Sequence, residues 1–184
     1  QAWRATGGPP SERLLAAFAL ARERFRAESP ALLAADADFP DDRPDATLLA
    51  AAIDEHAVHV AWLGGDRALL VRRGAIVATT RPHTLREHWG TQDPPVPIEQ
   101  IPNVILRLLA RDPDPPSIQS FASRPGDMLV LLGGPHFRGR DLDDATVSLQ
   151  LPPSVSLAVA AESLAALAYE NDDAPHSAVA VCVL

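Results

Sequence analysis

Four short apolar runs in close succession constrain this chain more than any other feature: residues 46–53, 57–63, 68–72 and 75–79. The separators are Asp54-Glu55-His56, Gly64-Gly65-Asp66 and Arg73-Gly74, all turn-forming in composition. Apolar runs of this length between such turns predict antiparallel strands joined by hairpins, here a β-meander. Around them the sequence alternates helical and extended segments. Ser11 can cap a helix over 11–27, with Leu14, Leu15, Phe18, Leu20, Ala21 and Phe25 on one face. A second helical tract is expected over 98–110, strands over 117–122 and 128–132, a helix over 157–169 after Pro152-Pro153, and a last strand over 178–184. The sum is an α+β chain with locally paired strands and helices packed on sheet faces.

With 184 residues, 47% of them hydrophobic, the chain can bury one sizeable core, and residues 1–184 read as a single domain. Its net charge of −8 opposes binding to phosphate backbones or anionic headgroups unless a basic patch is built locally. No apolar stretch reaches the roughly 20 residues that span a bilayer, so the expectation is a soluble, cytoplasmic protein that binds no nucleic acid and has no membrane span. Cys182, alone in an apolar run, cannot form an intrachain disulfide and reads as a small buried hydrophobe. The chain begins with Gln1, consistent with removal of a leader or of a longer preceding segment. Richness in Ala, Arg, Leu and Pro points to a GC-rich bacterial source. The segment 35–45, with five aspartates and two prolines, reads as a solvated acidic loop.

Three landmarks in order resemble the type 2C, or PPM, metal-dependent serine/threonine phosphatases. LGGDRALLVRRGAIVATTRPHTL over 63–85 is similar to that family's GDSR-like turn, "R.G" and "T.DHS" stretch. GDMLVLLGGPHF over 126–137 is similar to its "GD.LLL.SDGL" strand and turn. AAESLAALAYENDDAPHSAVAVCVL over 160–184 is similar to its closing helix, "DN.T" loop and strand. The resemblance begins near Ser11, and the family's opening part, with its "DG.GGH" loop, has no counterpart. It implies an antiparallel β-sandwich flanked by helices in α/β/β/α layers, incomplete at the N-terminus.

Enzymes of this family hold divalent cations between carboxylates and activate a bridging water. Hard cations require oxygen donors. At the position of the "SDG" aspartate this chain has Gly134, followed by Pro135; at "DN" it has His176 and Ser177; in the GDSR-like turn the aspartate position falls on Gly65, with Asp66 next and Arg67 in register. The resemblance therefore marks Gly65, Gly134 and His176 as degenerate metal-site positions, and Asp66, Arg67, His136 and Ser177 as residual pocket residues. No catalytic residue and no metal ligand is assigned; Asp172, Asp173 and Asp66 are the carboxylates that loop slippage could bring in.

Other constellations are weaker. His56 and His59 have H-x-x-H spacing, but residues three apart in extended chain face opposite sides and cannot co-ligate. His83 matches the "DH" histidine, yet Pro82 stands where its aspartate should, which leaves a packing or surface role; His83 and His88 bracket a short helical turn with Trp89. His136 and His176, on two former active-site loops, could form a soft-metal or pH-sensing pair or stand as two solvated loop histidines. Two readings follow. In one, the chain is a non-catalytic, pseudophosphatase-like regulatory or scaffold module without a cofactor. It would bind a protein partner, such as a serine/threonine kinase or a component of a larger assembly, with Trp3, Trp62 and Trp89 as candidate anchors, although Trp62, inside a strand, reads rather as core. In the other, it is a serine/threonine phosphoprotein phosphatase using Mn2+ or Mg2+, its remaining ligands lying upstream of Gln1.

Overall fold

The computed structural model describes residues 8–28, 45–90, 92–102, 104–133, 155–169 and 178–184. Helix α1 (Pro10–Glu28) precedes strands β1 (Leu48–Ile53), β2 (Ala57–Leu63), β3 (Arg67–Arg72) and β4 (Ala75–Thr79). Short helix α2 (Leu85–Gly90) and a 3-10 turn (Ile98–Gln100) lead to β5 (Ser117–Ala122) and β6 (Met128–Gly133), followed by helix α3 (Leu157–Tyr169) and β7 (Ala178–Val183). The strands form two antiparallel sheets, in the orders β1-β2-β5 and β4-β3-β6-β7.

Three apolar layers hold the elements together, and each is one side of a strand periodicity of two. Val58, Val60 and Trp62 of β2 meet Ala68 and Leu70 of β3, Phe121 of β5 and Leu129 of β6 between the sheets. The alternate residues of β2, Ala61 and Leu63, face outward against Leu14 and Phe18 of α1. The alternate residues of β3 and β6, Leu69, Val71, Met128, Val130 and Leu132, pack on Ala160 and Leu164 of α3. The layers are thus helix, sheet, sheet, helix, as the resemblance implied. Each fully buried Leu or Phe contributes about 1.5–3 kcal/mol by leaving water.

Three sequence expectations need correction. The four runs of 46–79 are not one meander: β1 and β2 pair in one sheet and β3 and β4 in the other. The Gly64-Gly65-Asp66 separator carries the chain between sheets, because β3 finds its second partner in β6, far along the sequence. The helix expected over 98–110 is reduced to the Ile98–Gln100 turn. Pro102 has no N–H to donate and disfavours helix in the residue before it. Beyond it Ile105 bridges Thr84, and Leu85 and Leu106 donate to the carbonyls of Val104 and His83. Finally Asp45, assigned to a solvated loop, has a side chain only 3% exposed. Its carboxylate accepts from the backbone N–H groups of Ala46 (2.8 Å), Ala110 (2.7 Å) and Arg111 (3.0 Å). It joins the start of β1 to the 109–111 turn, which Arg22 and Arg26 of α1 grip from the other side through the carbonyls of Leu109 and Ala110. The rest of the predicted acidic loop, 35–44, lies outside the described residues.

Candidate functional site

Strand pairing brings the resemblance's landmarks to one end of the sandwich. Leu63 closes β2, Arg67 opens β3 opposite Leu132, and Gly133, the last residue of β6, pairs with Ala178, the first of β7. Gly65 therefore stands at the same end as the strand termini that adjoin positions 134 and 177. Gly134, His136, His176 and Ser177 themselves lie outside the described residues, as do Asp172, Asp173 and Trp3.

The described groups at this end are tied to one another. Gly64 has φ +110, a conformation open to glycine and strained for other residues. Its N–H donates to His83 Nδ1 (3.2 Å), and its carbonyl accepts from the His83 N–H (2.8 Å). Because Nδ1 accepts, the ring proton sits on Nε2, which donates to Ser117 Oγ at 2.8 Å. Arg107 donates to the same oxygen (3.4 Å) and is ion-paired with Asp112. The imidazole stacks on Trp62, with ring centroids 5.7 Å apart and planes 12° from parallel. Trp62 in turn donates to the carbonyl of Arg81 at 2.9 Å. Burial, reinforced by the Arg107 charge, lowers the His83 pKa to about 4, so the ring is neutral at physiological pH.

This geometry decides what His83 and Ser117 can do. A serine nucleophile needs an imidazole lone pair facing its hydroxyl. Here the lone pair faces Gly64 and an N–H faces the serine, so the pair acts as a polar fastener between the sheet-switch turn and β5. Trp62 is 5% exposed and belongs to the intersheet core, as its place inside a strand predicts, rather than to a contact surface. Trp89 is half-buried in α2, edge-on to His88. His59 is bound to Asp54 (2.9 Å) and Ser120 (2.8 Å) while His56 is exposed, so the H-x-x-H spacing makes no ligand pair.

For a metal, the described donors do not suffice. Gly65 offers no side chain, Asp66 contributes one buried carboxylate, and Arg67 beside it is cationic, its guanidinium donating to Thr79 Oγ1 at 3.2 Å. Among the described residues no three His, Cys, Asp or Glu side chains come together. A hard divalent cation takes about six oxygen ligands, so no chemical step through a metal follows from these residues. Beside this end, Trp62, Arg81, His83, His88, Leu106 and Arg107 line part of an open cleft of about 370 Å³.

Some polar residues escaped sequence reasoning altogether. Asp127, 2% exposed, holds Arg72 by two hydrogen bonds, Nε to Oδ1 (2.8 Å) and Nη2 to Oδ2 (2.7 Å), at the opposite end of the second sheet. Asp45 and Ser117 likewise gain partners far along the chain. Only the Pro125-Gly126 turn that precedes Asp127 was a local signal, and it marks a turn rather than an ion pair.

No family model matches the sequence, and no curated protein matches it. Solved structures do. The PPM Ser-Thr phosphatase MsPP of Mycobacterium smegmatis, in complex with cacodylate, superposes with a TM-score of 0.74 at 21% identity, covering 100% of this chain and 77% of that one. The serine/threonine phosphatase PstP/Ppp of Mycobacterium tuberculosis gives 0.73 at 22% identity over 97% of this chain and 74% of its own; the PstP catalytic domain is also known with two manganese ions. PppA of Pseudomonas aeruginosa, described as a key regulatory component of T6SS, gives 0.71 at 21% identity over 100% and 76%. No helix among the described residues is long and apolar enough to cross a membrane. Two antiparallel sheets between helical layers, superposable on these enzymes over nearly all the chain, give this protein the fold of the PPM-type serine/threonine phosphatases.

Proposed function

We propose that this chain is a non-catalytic phosphatase-fold module that engages a protein partner through the end of the sandwich around Gly64–Arg67. The observation that carries the reading is the glycine at position 65, beside a neutral, internally bonded His83, where a metal-dependent enzyme needs charged oxygen donors. The sequence at Gly134 and His176 points the same way: glycine brings no donor, and a neutral imidazole is a poor substitute for a carboxylate toward a hard cation. The adjoining cleft, with Arg81, His88 and Leu106 at its rim, offers the mixed polar and apolar surface that protein contacts use. The likeness to PppA supports a regulatory setting, in which the partner is a serine/threonine kinase or a component of a larger assembly in the cytoplasm.

The second reading is a serine/threonine phosphatase using Mn2+ or Mg2+. It is favoured by the likeness to MsPP and to manganese-bound PstP and by the buried Asp66 carboxylate. Calorimetric titration with manganese and magnesium, paired with a phosphoester assay on protein extended by its native upstream residues, separates the two. The non-catalytic reading expects neither tight metal binding nor turnover. Metal-dependent turnover abolished by Asp66→Asn would replace it with the enzymatic one.

A further inference from the structure

The β3–β4 hairpin and the turn before β6 meet at the end of the second sheet away from Gly64–Arg67, about 17 Å along β3. Between them is a cavity of about 200 Å³ lined by Arg72, Arg73, Arg124, Pro125, Gly126 and Asp127. Three arginines around one small cavity are unexpected in a chain of net charge −8.

The single carboxylate in the lining is already committed. Asp127 takes two hydrogen bonds from Arg72 and a third from the Arg124 backbone N–H (2.9 Å). It therefore fixes Arg72 in place and cancels its charge. Arg73 and Arg124 are different: both are exposed, and neither guanidinium makes a hydrogen bond or ion pair among the described residues. Arg73 is also the one non-glycine residue with positive φ among the described residues (+52), at the first position of the Arg73-Gly74 turn. That position suits Gly, Asn or Asp, whose side chains tolerate the left-handed region. An arginine kept there at a conformational cost implies a use for its side chain at the tip.

We propose that this cradle is an anion site for a phosphate or phosphomonoester dianion, held by the forks of Arg73 and Arg124 above the Arg72–Asp127 pair. The guanidinium fork matches phosphate oxygens two at a time, and two such cations balance a dianion. The cavity is of a size for one such group rather than for an extended peptide. The site stands apart from the end assigned to partner binding, so it does not depend on that assignment.

The test is a titration of the folded chain with inorganic phosphate, read by amide chemical shifts of Gly74 and Gly126 and by calorimetry. Saturable binding on the order of 1 mM or tighter is expected, with Arg124→Ala and Arg73→Gly each weakening it roughly tenfold, the loss of one charge-assisted contact. Arg73→Gly also separates this role from a structural one: it relieves the strained φ, so thermal stability stays level or rises while binding falls. A phosphoserine peptide titrated alongside identifies the source: binding tighter than that of free phosphate assigns the site to a phosphorylated protein side chain, and equal binding assigns it to a small phosphate compound. Phosphate that fails to saturate, or saturates equally in both variants, overturns the proposal. So does a fall in melting temperature for Arg73→Gly.

Discussion

Replacing Gly64 by alanine measures how tightly the crossing between the two sheets is built. An alanine Cβ at this position would stand 2.2 Å from Thr47 Cγ2, 2.5 Å from Thr47 Cβ and 3.2 Å from Thr47 Cα. Turning the Thr47 side chain relieves the first contact only. The other two atoms move only with the backbone that opens β1, whose Leu48 is paired with Leu63. Backbone at φ +110 adds about 1–3 kcal/mol for any residue with a Cβ, and the forced displacement adds about 1–3 kcal/mol more. Moving the turn outward would instead give up the two hydrogen bonds between Gly64 and His83. The expected loss is about 3–5 kcal/mol, a large share of the 5–15 kcal/mol typical of a domain. Two other glycines resolve the components. Gly126 has φ +86 but nothing within 4 Å of its notional Cβ, so alanine there carries the conformational cost alone, about 1–2 kcal/mol. Gly90, at the end of α2, has neither constraint, and its alanine variant is expected to stay within about 1 kcal/mol of the parent. Urea unfolding followed by circular dichroism ranks the three, and a midpoint for Gly64→Ala no lower than that for Gly126→Ala would refute the reasoning.

Three further outcomes follow from the buried polar groups. His83 takes up a proton near pH 6.5 when unfolded but only near pH 4 when folded, so the stability of its neutral form is complete above pH 6.5 and is lost as pH falls toward 4. With His83 only partly buried, the loss is about 1–2 kcal/mol. His83→Gln, which keeps an acceptor for Gly64 and a donor for Ser117, should flatten the urea midpoint between those pH values; parallel profiles would exclude His83 as their source. Asp45→Ala leaves the N–H groups of Ala46, Ala110 and Arg111 without their acceptor and should cost about 2–4 kcal/mol by the same unfolding measurement, with Asn recovering part of it. Asp127→Asn breaks the fork with Arg72, whose hydrogen bonds hold the Asp127 carboxyl below its usual pKa. The expected loss is about 1.5–3 kcal/mol at pH 7, less than for a fully buried pair because Arg72 is 26% exposed. It should shrink as pH falls below about 4, where the carboxylate of the unfolded chain takes up protons first, and be gone once pH has passed through the lower folded value.

Local pattern was enough to find the strands and the long helices, because each is bounded by glycine, proline or a charged turn. It could not assign strand faces. β2 is covered on one side by the second sheet and on the other by α1, so Val60 to Leu63 read as a continuous apolar run rather than an alternation. The sheet switch was hidden for a related reason: Gly64-Gly65-Asp66 has the composition of a hairpin turn, and only the pairing of β3 with β6 reveals that it is not one. In the 98–110 segment, Ile98, Ile101, Ile105 and Leu109 have helical spacing, yet only Ile101 and Leu109 are buried; Val104 and Leu106 are half exposed. Pro102 was the stronger signal. At the site, His83 was matched to a motif, but its partners Gly64, Trp62 and Ser117 lie 19 to 34 residues away, and nothing local announces them.

The two ends of the second sheet therefore differ in how their polar groups are used. Among the described residues, the Gly64 end closes its hydrogen bonds inward: amide to imidazole, imidazole to serine, indole to carbonyl. Such groups stabilise the crossing and are not free to hold a metal ion or activate a nucleophile. At the Arg73 end the buried carboxylate is satisfied, while the guanidiniums of Arg73 and Arg124 make no hydrogen bond or ion pair among the described residues, Arg124 acting on Asp127 only through its charge. Internal satisfaction contributes to stability, whereas exposed charge without a hydrogen bond contributes little to it and is available for recognition. The difference predicts a separation of effects. His83→Gln should alter the pH dependence of unfolding and leave phosphate shifts at Gly74 and Gly126 intact. Arg124→Ala should weaken those shifts and leave the change of unfolding between pH 4 and 6.5 intact. If either substitution moved both observables, the ends would be coupled through β3, and the shared strand would have to be treated as part of one site.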